Sequence, residues 1–141
     1  KHLDKSRVEL YFCLPSYWDL NDINNPNLNW VFNWIQRLAK YVVKKNTWFA
    51  HGHTIPAGNP PEQLSPTMKQ TYFMFSDPMA LEKELASLQV GEDVIHFLAI
   101  VPLFKDEFEY KTARGMFKLV QKFEAKNVAM LINMASKNGF L

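Results

Sequence analysis

The sequence predicts an α/β fold of the mixed α+β type, in which one mixed sheet is covered by two main helices. Strand-like and helix-like segments alternate in the order β-α-β-loop-β-β-α. The strongest strand pattern, Asp93 to Phe104, is apolar on both faces, as expected in the middle of a sheet. The chain has 141 residues, 48% of them hydrophobic and 14% aromatic, which is enough to bury a core without a disulfide or a metal.

The first part of the chain predicts a strand, a loop and a helix. Val8 to Leu14 is β-branched and aromatic, and its apolar end favours a central place in the sheet. Asn, Asp and Pro dominate residues 16–29, which predicts a loop. A helix is predicted from Trp30 to Lys44, with Asn29 as its N-cap. Its apolar face comprises Trp30, Trp34, Ile35, Leu38, Tyr41 and Val42.

The rest of the chain alternates between short elements and one long helix. The predicted segments are a strand at Thr47 to Ala50, a proline-rich loop at Thr54 to Thr67, a strand at Gln70 to Phe75, a short helical pattern at Pro78 to Leu88, a helix at Lys105 to Lys126 and a packed turn at Val128 to Met134. Gly115 lies inside the last helix, where glycine costs about 1 kcal/mol relative to alanine. It therefore marks either a close contact or a break.

Composition excludes several classes of function. The net charge is only +2 and the lysines are scattered, so we expect no nucleic-acid partner. No apolar run approaches the roughly 20 residues of a membrane span, so we expect no membrane insertion. Cys13 is the only cysteine and lies in an apolar run, which predicts a buried thiol in a cytoplasmic protein. We expect a single domain over residues 1–141 that lacks its natural N-terminal segment, because Lys1 is not a methionine and a strand follows closely.

The segment from Asn46 to Pro56 (NTWFAHGHTIP) has the most uneven composition of the chain. In a strand, His51 and His53 would share a face and could reach one metal ion. A metal site needs a third ligand, however, and no other candidate ligand has a diagnostic spacing. The alternative is structural, with His53 satisfying backbone groups by hydrogen bonding. A metal-dependent hydrolase that uses both histidines remains an open hypothesis.

Other catalytic arrangements have little support. Asp106, Glu107 and Glu109 lie in the first turn of the last predicted helix, where negative charge stabilises the helix N-terminus. The chain has no glycine-rich phosphate loop, nucleophile elbow or cysteine–histidine motif with a useful context. We therefore expect a protein that is not an enzyme and uses no cofactor.

Aromatic residues near loops favour a recognition surface instead. Tyr and Trp dominate many protein–protein hot spots, and Tyr17, Trp18, Trp48 and Phe49 lie in or beside predicted loops. Helical spacing predicts that Trp30 and Trp34 belong to the core. Alternation along a strand predicts the same for Trp48.

Five ordered blocks of sequence resemble the suppressor-of-fused family, and in particular its short, single-domain bacterial members. The blocks are Arg7 to Pro15 (RVELYFCLP), Trp18-Asp19, Trp34 to Tyr41 (WIQRLAKY), Asn46 to Pro56 and Phe97 to Phe104 (FLAIVPLF). In addition, Glu107 and Gly115 stand where the last helix of the family carries a Glu and a Gly. Together the blocks span most of the chain.

The resemblance implies a suppressor-of-fused N-terminal-domain-like fold and a protein-binding role without catalysis. Eukaryotic relatives restrain Gli-type transcription factors by clamping a peptide between this domain and a second, C-terminal domain. Many bacterial relatives are similar to immunity proteins, which neutralise polymorphic toxins by direct binding. We therefore expect an immunity protein whose partner is a toxin domain. A regulatory module that binds a host protein or peptide is the alternative.

The resemblance also implies a binding surface. Tyr41 matches a tyrosine that lines the peptide groove of eukaryotic relatives, and His53 matches a shared histidine. At Gly52, by contrast, the eukaryotic domain carries an acidic residue that contacts the peptide. The partner-binding residues predicted for this chain are Trp18, Asp19, Tyr41, His51, His53 and Thr54.

Overall fold

The structure, a computed structural model, describes residues 6–78 and 87–124. It divides into two compact units, residues 1–104 and 105–141. The elements are β1 (Ser6–Tyr11), α1 (Pro26–Lys45), β2 (Thr54–Pro56), β3 (Tyr72–Ser76), β4 (Leu88–Val90), β5 (Asp93–Leu103) and α2 (Lys105–Arg114). The predicted mixed α/β fold with one mixed sheet is confirmed. No helix in the described ranges is long and apolar enough to cross a membrane.

The sheet is built around β5. Its strand order is β1-β5-β3-β2, and β4 also pairs with β5. Strand β1 runs parallel to β5, whereas β3 and β4 run antiparallel to it. Within the described residues β1 pairs only with β5, so it lies at the margin of the sheet that these residues form and not at the central position predicted for the first strand. The strand ends at Tyr11, and the apolar residues Phe12 and Leu14 that follow pack against the core from outside the ladder.

Helix α1 begins four residues earlier than its apolar pattern indicates. The Asn25 side chain accepts a hydrogen bond from the Asn27 backbone N–H at 3.0 Å, and Pro26 occupies the first helical position. Proline suits that position because its fixed φ is helical and it has no N–H to leave unpaired. The N-cap predicted at Asn29 is therefore wrong. The helix ends at Asn46, whose φ of 48° is left-handed.

The core lies between α1 and one face of the sheet. Trp34 and Phe73 meet edge to face, with ring centroids 5.3 Å apart. The buried cluster comprises Trp30, Val31, Trp34, Leu38, Phe49, Ala57, Leu64, Phe73, Phe75, Leu98 and Ile100. The predicted core positions of Trp30 and Trp34 are confirmed. Met74 and Ser76, on the other face of β3, are also buried, as the apolar character of both sheet faces requires.

The proline-rich loop after β2 is held against α1. The indole N–H of Trp34 donates to the Leu64 carbonyl at 3.3 Å. Arg37 lies over the Trp34 ring, 3.7 Å from its centroid, and its guanidinium bonds the Glu62 carboxylate at 2.6 Å. Leu64 is buried as a result, so the loop contributes to the core.

Three expectations drawn from strand patterns are wrong. Thr47 to Ala50 is irregular, because the left-handed Asn46 redirects the chain out of the helix, and the short strand β2 lies beyond it. Because this segment is not a strand, its side chains do not follow the strand alternation that predicted a buried Trp48. Trp48 is 71% exposed, whereas Phe49 is 8% exposed. Cys13 is exposed, since β1 has already ended at Tyr11.

The second unit begins with α2, which has Asp106 and Glu107 in its first turn. The long predicted helix is interrupted at Gly115, whose φ is +90°, and the chain is helical again over 116–124. The Gly115 N–H still bonds the Lys111 carbonyl at 2.7 Å, which closes the last turn of α2. Gly115 therefore marks a break. The helical pattern from Pro78 to Leu88 and the run from Val128 to Met134 lie wholly or largely outside the described residues.

Candidate functional site

A tight turn stands between α1 and β2. The His53 N–H donates to the Ala50 carbonyl at 3.0 Å, which places His51 and Gly52 at the two central positions. Gly52 has a φ of 85°, as the third residue of a type II turn requires. Glycine adopts this φ without the steric cost that other residues meet there.

Two backbone hydrogen bonds hold this turn to β3. The Gly52 N–H donates to the Phe75 carbonyl at 2.8 Å, and the Phe75 N–H donates to the His53 carbonyl at 2.9 Å. Thr54 then pairs with Met74 and begins the β2–β3 ladder. The turn thus extends the sheet, and its side chains project from a fixed backbone.

Both histidines use Nδ1 to accept a backbone hydrogen bond. His53 Nδ1 accepts from the Ala50 N–H at 3.2 Å, and His51 Nδ1 accepts from the Asp77 N–H at 2.9 Å. His51 Nδ1 also lies 3.7 Å from the Asp77 carboxylate. An accepting Nδ1 carries no proton, so the neutral form of each ring has its proton on Nε2. The structural role that the sequence left open for His53 is the one observed, although the side chain is exposed.

The histidines do not assemble a metal site in the described part of the chain. No group of three or more His, Cys, Asp or Glu side chains there could hold a metal ion. A catalytic zinc needs three protein ligands. The hypothesis of a metal-dependent hydrolase based on His51 and His53 therefore has no support from these residues.

Tyr41 is connected to the turn by a stack of three rings. Its ring is parallel to that of Phe49, with centroids 6.2 Å apart, and Phe49 stacks on Phe75 at 4.1 Å. Phe75 is the residue whose backbone holds the turn. Tyr41 remains 39% exposed, so its ring reaches the surface at one end of this stack.

Trp18 and Asp19 lie elsewhere. The Trp18 indole N–H donates to the Leu28 carbonyl at 3.1 Å, and its ring meets Trp30 edge to face at 6.1 Å. Asp19 accepts a hydrogen bond from the Asn21 N–H at 2.9 Å. Trp30 and Tyr41 are about 16 Å apart along α1 at the helical rise per residue. The structure therefore groups three of the six predicted residues at the turn, connects Tyr41 to it through Phe49 and Phe75, and places the other two near the start of α1.

A groove of ≈ 340 Å³ lies between α1 and β1, and sequence reasoning missed it. Its lining comprises Val8, Glu9, Leu10, Ala39, Val42, Trp48 and Phe49. The prediction of a strand at Thr47 to Ala50 assigned Trp48 to the core and so hid this surface. One signal in the sequence could have revealed it. Asn46 directly follows two lysines, which is typical of a helix C-terminus and indicates irregular chain rather than a strand at Trp48.

Comparisons with known proteins agree on family and fold. The model of the family described as suppressor of fused protein (SUFU) matches residues 1–135. No curated protein sequence matches the chain. The crystal structure of the Sufu-Fu complex matches 66% of this chain and 36% of its own chain, with 20% identity and a TM-score of 0.55. The crystal structure of Drosophila Suppressor of Fused matches 59% of this chain and 18% of its own, with 22% identity and a TM-score of 0.49.

The chain therefore spans about a third of the first of these solved chains, with which it shares a fold. The family match covers nearly the whole sequence and includes all five blocks that resemble the family. The chain belongs to the suppressor of fused family.

Proposed function

We propose that this chain is a non-catalytic protein-binding domain and that it acts as a bacterial immunity protein, neutralising a toxin by direct binding. The observation that carries the proposal is the turn of Ala50 to His53, which displays exposed polar side chains on a backbone fixed to β3. A pre-organised surface loses little conformational entropy on binding, so more of its contact energy appears as affinity.

The contacts of the turn favour recognition over catalysis. The two Nδ1 atoms that could act as bases are already engaged by the Ala50 and Asp77 N–H groups. Half of the His51 side chain is nevertheless exposed, and Tyr41, which stacks on Phe49, is 39% exposed. An aromatic residue surrounded by polar groups is a common arrangement at protein interfaces. The mechanism we propose is steric occlusion of the toxin surface, in the cytoplasm and without a cofactor.

The experiment is rescue from a toxin domain encoded beside this gene. Cells that express the toxin should survive when this protein is co-expressed, and the purified pair should form a complex in calorimetry. The double variant Tyr41→Ala, His51→Ala should weaken the complex about tenfold or more, since His51 lies in the turn and Tyr41 is connected to it through the rings of Phe49 and Phe75. Asn24→Ala, an exposed change near the start of α1, is the control that should leave affinity unchanged.

Absence of rescue by the unaltered protein from any adjacent toxin would overturn the immunity proposal. Trp18 and Asp19 were predicted to share the surface, so Asp19→Ala is measured alongside. A loss of affinity with Asp19→Ala and none with the Tyr41 and His51 changes would move the interface to the start of α1.

The alternative is a regulatory module that binds a host protein or peptide. This alternative is supported by the solved structure of similar fold, which is a complex of Sufu with Fu. The two proposals differ in the same assay, because a regulatory module gives no protection from a toxin and forms a defined complex with a host protein in its absence.

A further inference from the structure

The chain between β1 and α1 is folded into three tight turns in succession. Each turn is closed by a backbone hydrogen bond, from the Trp18 N–H to the Pro15 carbonyl at 3.0 Å, from Asp22 to Asp19 at 3.4 Å and from Asn25 to Asp22 at 3.2 Å. The second and third turns share Asp22. We call residues 15–25 the β1–α1 loop.

Each turn of the β1–α1 loop exposes one large apolar side chain at a central position. Tyr17 is 81% exposed, Leu20 is 54% exposed and Ile23 is 66% exposed. Turns favour Gly, Pro, Asn, Asp and Ser, so turn formation does not explain these apolar residues. They follow one another at intervals of three, so neighbouring Cα atoms are at most about 11 Å apart. A single exposed apolar residue is ordinary, whereas such a set is typical of an interaction site.

The β1–α1 loop is fixed to the first turn of α1 in two places. The Trp18 indole N–H donates to the Leu28 carbonyl at 3.1 Å, and the Asn29 side-chain amide donates to the Ile23 carbonyl at 2.7 Å. Leu28 and Asn29 are adjacent in the sequence, so these contacts bring Trp18 and Ile23 to one place on the helix. The loop is therefore ordered before a partner arrives, and it loses little conformational entropy on binding.

The β1–α1 loop carries a net negative charge. Asp19 and Asp22 lie between its apolar residues, and neither carboxylate forms an ion pair within the described residues. Between Arg7 and Arg37 the sequence has no lysine, arginine or histidine. Both of these arginines are already paired with carboxylates outside the loop, at 3.1 Å and 2.6 Å. The positive end of α1 offsets only about half of one charge. The loop therefore suits a positively charged partner.

We propose that the β1–α1 loop docks onto a surface of the toxin where lysine or arginine side chains surround exposed apolar ones. Tyr17, Leu20 and Ile23 form the apolar centre of the contact. Asp19 and Asp22 pair with the cations around it and raise the rate of association. Tyr17 contributes most to the affinity, because tyrosine is enriched among the residues that dominate binding.

This proposal deepens the proposed function and rests on it for the identity of the partner. It adds a second contact area to the turn of Ala50 to His53. Asn24→Ala remains a valid control for the toxin complex, because it leaves the three apolar side chains and both carboxylates of the β1–α1 loop in place.

The test uses a synthetic peptide, because the toxin sequence is unknown. The probe is a short labelled peptide of lysine and leucine, and its control carries glutamate in place of lysine. Fluorescence anisotropy with the full chain should show that the lysine peptide binds about tenfold tighter, and that added salt weakens its binding. The whole chain has a net charge of +2, so overall charge alone would favour the glutamate peptide.

The role of the two carboxylates is tested by an isosteric change. Asp19→Asn with Asp22→Asn removes both charges and keeps an oxygen that accepts the hydrogen bonds within the loop. It should weaken binding of the lysine peptide about fivefold. Glu109→Gln with Glu124→Gln removes the same charge from exposed positions in the second unit, and this matched control should leave binding unchanged.

The role of the apolar side chains is tested separately. Tyr17→Ser and Ile23→Ser should each weaken binding of the lysine peptide about tenfold. Val43→Ser is the matched control, since Val43 is 82% exposed at the opposite end of α1. It should leave binding unchanged, and circular dichroism should show that all variants are folded.

Several outcomes overturn the proposal. They are failure of the lysine peptide to bind, equal or tighter binding of the glutamate peptide, and binding that is untouched by either the change of both aspartates or Tyr17→Ser. A dimer of the unaltered protein that Tyr17→Ser dissociates also overturns it, because a second copy would then cover the loop.

The peptide assay contains no toxin, so its result is independent of the rescue assay. Peptide binding without rescue would retain the β1–α1 loop as a docking surface and reject the immunity role. Rescue together with no peptide binding would retain the immunity role and reject this surface.

Discussion

Two adjacent aromatic residues have opposite environments. Phe49 is 8% exposed and stacks between Tyr41 and Phe75, whereas Trp48 is 71% exposed beside the groove. A buried aromatic ring contributes chiefly through the apolar area it removes from water. An exposed indole removes little apolar area from water on folding, and it remains accessible to a partner. The pair therefore allows stability and binding to be changed separately.

We predict that Phe49→Ala lowers the free energy of unfolding by about 3–5 kcal/mol, because it removes a large buried ring and leaves a cavity. Trp48→Ala should lower it by less than about 0.5 kcal/mol, as surface changes usually do. Urea denaturation of the two variants and the unaltered chain gives both values. Similar losses for the two variants would contradict the environments described for these rings.

Side-chain roles at the turn were only partly accessible from sequence. The structural role offered for His53 is observed, because its Nδ1 accepts a hydrogen bond from the Ala50 N–H. The role of His51, however, depends on the Asp77 N–H, which β3 brings to it from 26 residues away. Trp48 was misplaced because strand alternation was applied to an irregular segment. Local pattern cannot reveal a hydrogen-bond partner that only tertiary structure supplies.

Among the elements, helices and long strands were predicted best. The body of α1 and the strands β3 and β5 carry strong periodicity or apolar runs, and all three are present. The three-residue strands β2 and β4 are too short to show any period, and they form because β3 and β5 offer neighbouring edges. The start of α1 was missed because its first turn, from Pro26 to Asn29, contains none of the buried residues of the helix.

The N-cap of α1 provides a test at the scale of the element. Asn25→Ala removes the side-chain acceptor for the Asn27 N–H and should lower the free energy of unfolding by about 0.5–2 kcal/mol. Asn24→Ala, a change at the exposed neighbour, is the control and should have little effect. Thermal and urea unfolding followed by circular dichroism measure the difference. If Asn29→Ala proved the more damaging change, the helix would begin where its apolar pattern does.

For the first unit as a whole, β5 is the strand on which the sheet depends. It pairs with β1, β3 and β4, and its Ile100 lies opposite Phe75 in the core. The apolar faces of β5 predicted its central place from sequence, but nothing in the sequence indicated that β1 would pair with it in parallel.

We expect Ile100→Ala to lower the free energy of unfolding by about 2–5 kcal/mol, since it empties a buried position in the central strand. Val90→Ala, at a half-exposed position on β4, should cost much less. Denaturant titrations of both variants compare the centre of the sheet with its margin. Equal costs would show that β5 is not the centre on which the sheet's stability rests.

The central place of β5 also has a consequence for biosynthesis. Ser6 pairs with Val94, and α1, β2, β3 and β4 all lie between these two residues in the sequence. During synthesis, β1 can therefore pair with β5 only after nearly the whole first unit has left the ribosome. Sheets closed by such distant pairings fold slowly, because the entropy of a long loop is lost before the contacts form. During that interval Val8 and Leu10 lack the strand beside which they pack, and apolar side chains exposed in this way favour aggregation.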